Sequence, residues 1–218
     1  MESCLQQGVA IYGYAPAHFI IIGPDQPIAA IVGQDIVLSC HLSPRMSAEN
    51  MEVRWFQNNF ETYVHLYRDG RDHFEQQMHK YQERTELLKD SIVDGKIALK
   101  IFNIKRSDEG QYNCFVQDGI THVETILDLH VIVLGSVPLI SVEDYQEGGI
   151  RMVCRSAGWF PEPKVVWRDP SGQHLPSVSE TKAQQDNDLF WVFRDTLALW
   201  AIRGSKHPFT TPKLRRWN

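Results

Sequence analysis

The chain has 218 residues and a formal net charge of −5, with 22 basic and 27 acidic side chains. This length is enough for about two domains of ordinary size, and a mildly acidic chain has no general attraction to phosphate backbones, so we expect no nucleic-acid partner. The 4 cysteines form no Cys-x-x-Cys pair, and the 9 histidines form no His-Glu-x-x-His motif. We therefore expect no metal and no cofactor.

The N-terminal segment, residues 1–18, contains no clear signal peptide. Residues 1–13 carry no lysine or arginine, and Gly8, Gly13 and Pro16 interrupt their apolar stretch, whereas a secretory signal has a basic start and a continuous apolar run. No run of 18 apolar residues occurs in the sequence, so we predict no membrane span. We expect that the chain lacks the parts that normally provide targeting and anchoring; the alternative is secretion through a weak signal.

Short runs of alternating apolar residues follow one another between residues 19 and 134, and they predict β-strands. Turn residues separate these runs, as in an all-β domain. In chain order the predicted strands and their inward residues are B (Ile36, Leu38, Cys40), C (Val53, Trp55), C′ (residues 64–67), D (beginning at Arg84), E (Ile97, Leu99, Ile101), F (Tyr112, Cys114, Val116) and G (Leu127, Leu129, Val131).

Four residues in this region form a pattern that is typical of an immunoglobulin sandwich. Cys40 and Cys114 lie on strands B and F, Trp55 lies on strand C, and Tyr112 stands two positions before the second cysteine. In such domains a disulfide joins two sheets, the tryptophan packs on it, and the tyrosine holds the connection that precedes strand F. The pattern predicts a Cys40–Cys114 disulfide, formed in an oxidising compartment. Because immunoglobulin domains are rarely enzymes, we expect a binding module with no catalytic site and no small-molecule substrate.

The stretch between Trp55 and strand E indicates the subtype of this domain. It is long enough for the additional strands C′ and C″ of a variable-type domain. We expect Arg84, at the start of strand D, to form an ion pair with Asp108. If this pair is partly buried, removing one partner costs more than at the surface, because the other charge is left unpaired.

The strand pattern starts a second time after a short junction near Pro138. Cys154 and Trp167 repeat the spacing from strand B to strand C, but after residues 189–192 no closing cysteine and no Asp-x-Gly-x-Tyr-x-Cys segment follows. We therefore predict an all-β chain with an N-terminal segment (1–18), a complete variable-type immunoglobulin domain (19–134), a partial constant-type domain (135–195) and a basic tail of non-homologous sequence (196–218).

Cys154 has no predicted partner on its own sheet. One alternative is a bridge to Cys4, the remaining cysteine of the chain. The other is two free thiols, one buried and one on the N-terminal segment, with a risk of intermolecular pairing.

Beyond the immunoglobulin pattern, the chain carries short motifs between about residue 19 and about residue 192. They are Gly23-Pro24, Val32-Gly33, Leu42-Ser43-Pro44, Met51-Glu52-Val53-Arg54-Trp55-Phe56, Val64-His65-Leu66-Tyr67-Arg68-Asp69-Gly70, Arg84-Thr85, Leu134-Gly135-Ser136 and Gly158-Trp159-Phe160-Pro161-Glu162-Pro163. Taken together, these motifs resemble the butyrophilin and butyrophilin-like family, B7-like members of the immunoglobulin superfamily.

The resemblance implies an immune regulator with a variable-type domain, a constant-type domain, a membrane helix and often a cytoplasmic B30.2 domain. Such proteins lie on the external side of the plasma membrane and modulate T cells, including gamma-delta T cells. The implied partners are a T-cell surface receptor or another cell-surface protein, and related butyrophilin-like chains in homo- or heterodimers. The implied effect is on T-cell receptor signalling and cytokine production.

The sequence departs from the family at its C-terminal part, where a second closing cysteine, a membrane helix and a cytoplasmic region are expected. This departure suggests a truncated or alternatively spliced form that is extracellular or secreted, or a gene model that runs into non-homologous sequence near Phe193. Two alternatives for the function stay open. The chain is a non-functional truncation retained in the cell, or it is an adhesion module that binds copies of itself.

The candidate contact surface is the sheet of strands G, F, C and C′, which often binds partners in variable-type domains. Aromatic side chains and arginine are enriched at the energetic centres of protein interfaces. The alternative is that Phe56 and Phe115 only cover each other as a cross-strand pair. The residues that we expect to point outward from this sheet are Glu52, Arg54, Phe56, His65, Tyr67, Asn113, Phe115 and Gln117.

Overall fold

The structure is a computed structural model that describes residues 19–146, 149–168, 171–175, 184–185 and 191–200. Within these residues the regular elements are strands and three short 3-10 helices, His79–Tyr81, Lys89–Asp94 and Arg106–Asp108. The strands are β1 (Ile20–Ile22), β2 (Ile28–Ile31), β3 (Ile36–Ser43), β4 (Glu52–Phe56), β5 (Tyr63–Arg68), β6 (Arg71–His73), β7 (Thr85–Leu87), β8 (Lys96–Ile101), β9 (Gly110–Asp118), β10 (Thr121–Ile132), β11 (Leu139–Gln146), β12 (Gly149–Trp159), β13 (Gln184–Gln185) and β14 (Trp191–Trp200).

Two sheets form the first domain. A four-stranded sheet has the order β1-β3-β8-β7, and a six-stranded sheet has the order β2-β10-β9-β4-β5-β6. The alternation read from the sequence explains the strands: on β3, Leu38, Cys40 and Leu42 are buried while the residues between them are more exposed, as expected when one face of a sheet covers the core. The predicted all-β, variable-type immunoglobulin fold is confirmed.

A disulfide joins the two sheets of this domain. Cys40 on β3 is bonded to Cys114 on β9, with their Cα atoms 6.8 Å apart. Trp55 lies directly opposite Cys114 in the β4–β9 ladder and is fully buried, as is Tyr112. In the chain-entropy model, a disulfide that closes a 74-residue separation stabilises the fold by about 4 kcal/mol. The disulfide therefore fixes the six-stranded sheet, which carries the outer face described below, to the other sheet of the domain.

The hydroxyl of Tyr112 lies 2.7 Å from the hydroxyl of Tyr81, which donates to Oε1 of Gln57 at 3.2 Å. All three side chains are buried, so each needs such partners to offset its loss of hydration. This chain of hydrogen bonds holds Gln57, the residue that follows β4, against the core.

Arg84 and Asp108 lie in the regions where we predicted them. Nη1 of Arg84 donates to the carbonyl oxygen of Lys80 at 2.7 Å. The fully buried carboxylate of Asp108 accepts from the backbone N–H of Lys105 at 2.8 Å. The Arg84–Asp108 ion pair stays a prediction.

In the C-terminal part of the chain, from residue 139 onward, the described strands form one sheet with the order β11-β12-β14-β13. Cys154 of β12 and Trp167 are buried in one apolar cluster, and β14 pairs with β12 in a ladder that extends to Gly149 opposite Trp200. Strand β14 thus continues beyond residue 195, where we predicted the end of this domain; the domain boundaries stay predictions. Cys4, the alternative partner of Cys154, and residues 201–218 of the predicted tail lie outside the described residues. The described part of the chain contains no helix with the length and apolarity that a membrane crossing needs.

Candidate protein interface

The register of strands β4 and β9 determines which side chains form the outer face of the six-stranded sheet. Val53 and Trp55 are fully buried on the inner side, so the residues that alternate with them lie on the outer side. Directly paired residues of an antiparallel ladder share a face. The ladder pairs Glu52 with Gln117, Arg54 with Phe115, and Phe56 with Asn113.

Two of the residues that we expected on this face lie on the other side of the sheet. His65 pairs with Trp55 and Tyr67 pairs with Val53, and both side chains are buried. The expectation is wrong because residues 63–67 of β5 are all buried, so the alternation of apolar residues does not distinguish the two faces of this strand. The pairing with Trp55 and Val53 shows which face points inward. Leu66, opposite Arg54, takes the outward position on β5.

His65 instead belongs to a polar network inside the domain. Its Nε2 lies 3.0 Å from Oδ1 of Asp72, and its Nδ1 lies 3.0 Å from Oγ1 of Thr85. The ring therefore links Asp72 to Thr85, and the donor and acceptor roles of its two nitrogens depend on the tautomer. Lys89 Nζ lies 2.6 Å from the other oxygen of Asp72.

This network lowers the pKa of Asp72 from 3.8 to about 2. The hydrogen bond from His65 is the largest cause, partial burial opposes it, and Lys89 adds a further lowering. Hydrogen bonds and cations favour the charged form of a carboxyl group, whereas burial disfavours it. The network connects β5, β6 and the segment around β7, so its role is structural and it is not part of the outer face.

The outer face carries an aromatic cluster that the sequence analysis did not assign. Phe60, from the loop between β4 and β5, contacts Phe56 and Phe115 edge-on, with ring centroids 5.2 and 5.1 Å apart. His122 of β10 stacks on Phe115 with centroids 5.5 Å apart. Edge-to-face and offset-stacked geometries are the favourable ones for aromatic pairs. A single apolar residue in the otherwise polar segment 57–62 was the signal for Phe60.

Arg54 lies beneath Phe60 and is tied to it. Nη1 of Arg54 donates to the carbonyl oxygen of Phe60 at 2.8 Å, and its guanidinium carbon lies 3.9 Å from the centroid of the Phe60 ring. On its other side, Nε and Nη2 contact Oε1 of Glu52 at 3.0 and 2.8 Å. The guanidinium therefore has its charge balanced, and each of its three nitrogens contacts an acceptor within the domain.

This cover changes the expected surface. Arg54 and Phe115 are on the outer face but are only 8% and 6% exposed, whereas Phe60 is 37% exposed. Phe56 and Phe115 are not a cross-strand pair, because Phe56 lies opposite Asn113. The ring that covers Phe115 is that of Phe60. Several residues form the accessible part of the face: Phe60, the half-buried Glu52, Phe56, Asn113 and Gln117, and the exposed His122, Glu124 and Ile126 of β10.

Such a shallow aromatic surface with polar neighbours suits contact with another protein. Aromatic residues supply much apolar contact area while losing little conformational entropy. The described residues contain no cluster of three or more histidine, cysteine or acidic side chains that could hold a metal ion.

Comparisons with known proteins agree with this architecture. The model of the immunoglobulin V-set domain matches residues 23–132, and the model described as butyrophilin subfamily 3 member A2-like, Ig-C domain matches residues 134–199. The chain is thus an immunoglobulin-superfamily protein with a V-set domain followed by a constant-type domain. It belongs to the butyrophilin family, which the following relatives also show.

Human butyrophilin subfamily 2 member A2 is 43% identical over 176 residues, covering 81% of this chain and 34% of the relative. Mouse selection and upkeep of intraepithelial T-cells protein 5 is 41% identical over 178 residues, covering 82% of this chain and 12% of the relative. The crystal structure of bovine butyrophilin superposes with a TM-score of 0.71 at 38% identity, covering 87% of this chain and 88% of that one. The chain thus spans about a third or less of the length of these two curated relatives.

Proposed function

We propose that this chain is an immune regulatory binding protein that contacts a T-cell surface protein and thereby modulates T-cell receptor signalling and cytokine production. Membership of the butyrophilin family supports this proposal, as does the name of the mouse relative, which refers to the upkeep of intraepithelial T cells. The contact surface in this proposal is the outer face of the six-stranded sheet.

The observation that carries the choice of face is the exposed aromatic ring of Phe60. It rests on an aromatic cluster and an ion-paired arginine, and its sheet is joined by a disulfide to the rest of the domain. A rigid surface loses little conformational entropy on binding, so less of the free energy of its apolar contacts is offset by ordering. Glu52, Phe56, Asn113 and Gln117 supply the surrounding contacts.

The proposal is tested by adding a long charged side chain to this face. Asn113→Arg places a cation beside Phe56, and we expect the binding of a fluorescent tetramer of the 218-residue chain to T cells to fall at least about tenfold, which is a loss of about 1.4 kcal/mol. The matched control is Ser39→Arg, because Ser39 alternates with buried residues on β3 and is also half-buried, but lies on the other sheet. The control should bind as the unmodified chain does.

Three results would contradict the proposal. If both variants bind normally, the face is wrong. If the unmodified chain binds no T-cell population, T-cell recognition is rejected, and a chain that also fails to leave the cell would fit the non-functional alternative. If analytical ultracentrifugation shows self-association that Asn113→Arg abolishes, homophilic adhesion replaces T-cell recognition as the function of this face.

A further inference from the structure

The loop between β4 and β5, residues 57–62, is held at three successive points. Gln57 is buried and accepts a hydrogen bond from a buried tyrosine hydroxyl at 3.2 Å. Oδ1 of Asn59 accepts from the backbone N–H of Glu61 at 2.8 Å, which closes a local turn. The Phe60 carbonyl accepts from Arg54 at 2.8 Å. Polar loops without such contacts open easily, so these three contacts constrain the loop.

Arg54 makes the only one of these three contacts that starts from the sheet itself. Its guanidinium is planar, so one edge bonds Glu52 and another bonds the Phe60 carbonyl while the ring of Phe60 covers its face. A lysine ammonium is a point charge and cannot satisfy all three geometries. Since Arg54 is 8% exposed, a partner protein reaches Phe60 before it reaches the guanidinium.

The exposed charges on this side of the sheet indicate the chemistry of a partner. The positive charge of Arg54 is balanced by Glu52, and that of the exposed Arg68 by Glu52 and Asp69. Glu61, directly after Phe60, is exposed, and so is Glu124, which shares the outer face of β10 with His122. Complementary charges favour encounter and correct register between proteins, so lysine or arginine side chains are expected opposite these two carboxylates.

We propose that Arg54 is a positioning residue that holds the loop 57–62 on the sheet, so that Phe60 is presented as an anchor for an apolar hollow bordered by cations on a partner protein. The anchor role rests on the proposed function, whereas the positioning role does not. A preordered aromatic side chain in the centre of a face is the type of residue that dominates the energy of an interface.

The test uses Arg54→Lys, which keeps the charge and the bond to Glu52 but loses the planar contact with Phe60. In the full chain, we expect the backbone amides of residues 57–62 to exchange with deuterium about tenfold faster. Arg68→Lys is the matched control, because Arg68 also contacts Glu52, at 3.7 Å, but makes no contact with Phe60. It should leave the exchange of the loop unchanged.

Binding to T cells provides the second measurement. Phe60→Ala and Arg54→Lys should each weaken tetramer binding about tenfold, and the double variant should bind about as well as Phe60→Ala alone, because both changes remove the same presented ring. Weakening by both changes independently, about a hundredfold together, would show that Arg54 contacts the partner itself and would overturn its positioning role in binding.

The remaining outcomes separate this inference from the proposed function. Unchanged loop exchange in Arg54→Lys overturns the positioning role, whatever the partner. If loop exchange is faster in Arg54→Lys but Phe60→Ala binds T cells normally, the anchor role is overturned. The Asn113→Arg measurement then decides the proposed function. If the unmodified chain binds no T cell, the anchor role fails together with the proposed function, while the exchange measurement still decides the positioning role.

Discussion

The ion pair of Asp72 leads to a quantitative prediction for the stability of the first domain. The pKa of this carboxyl group falls from 3.8 to about 2 in the folded chain, chiefly through the hydrogen bond from His65. One pKa unit corresponds to about 1.4 kcal/mol. The Asp72 side chain retains 24% of its exposure, and solvent screening reduces the value of such pairs. We therefore expect the charge of Asp72 to contribute about 1 kcal/mol to the free energy of unfolding.

The sign follows from the direction of the shift. Because the pKa of Asp72 is lower in the folded than in the unfolded chain, its contribution is complete above about pH 4 and is lost as the pH falls from 3.8 towards 2. Asp72→Asn keeps an oxygen that accepts from His65 but removes the charge. Urea unfolding followed by fluorescence should show Asp72→Asn to be about 1 kcal/mol less stable than the unmodified chain at pH 6, with a difference that narrows steadily below pH 4.

A neighbouring aspartate provides the control. Asp69 lies 3.6 Å from Arg68, but its side chain is 78% exposed, and its φ of 54° is one that asparagine adopts readily. Asp69→Asn should therefore change the free energy of unfolding by less than about 0.3 kcal/mol at every pH. Equal losses in the two variants, or an Asp72→Asn difference that stays constant down to pH 3, would refute the reasoning.

Two further predictions concern the framework of the first domain, and urea unfolding measures both. Gly95 and Gly33 have φ angles of 75° and 85°, but a Cβ atom at Gly95 would lie 2.5 Å from the carbonyl oxygen of Met46, whereas a Cβ atom at Gly33 would meet nothing within 4 Å. Gly33→Ala should lower the free energy of unfolding by about 1 kcal/mol from the backbone conformation alone, and Gly95→Ala by at least about 1 kcal/mol more. Equal losses would show that the contact with the Met46 carbonyl does not matter. Tyr112→Phe removes the hydroxyl pair with Tyr81 and should cost about 1 kcal/mol; an unchanged unfolding midpoint would show that this pair does not stabilise the fold.

Much of the architecture was accessible from the sequence because it depends on local alternation. Leu38 and Cys40 on β3, and Tyr112 and Cys114 on β9, alternate with more exposed residues, and only one face of each sheet covers the core. The position of Trp55 between the two cysteines then indicated an immunoglobulin domain. The family followed from motifs that extend over most of the chain.

The accessible surface of the candidate interface could not be obtained in this way. The apolar residues Val64 and Leu66 were expected inward and His65 and Tyr67 outward, but both faces of β5 are buried, and the pairing with Trp55 and Val53 turns His65 and Tyr67 inward. The inner face of such a strand depends on how it pairs with its neighbour, which neither strand encodes alone. Apolar alternation identifies the inner face only where the other face is exposed to solvent.

The position of Phe60 was equally hidden, because loops do not follow a strand period. Its ring covers Arg54 and Phe115 because the loop folds back over the sheet and its Phe60 carbonyl accepts a hydrogen bond from the guanidinium. The sequence by itself thus determined the immunoglobulin fold, the Cys40–Cys114 disulfide and the family, since these depend on periodicity and on the identity of a few residues. The tertiary structure alone decided which side chains a partner protein can reach, because that depends on strand register and on contacts between segments that are distant along the chain.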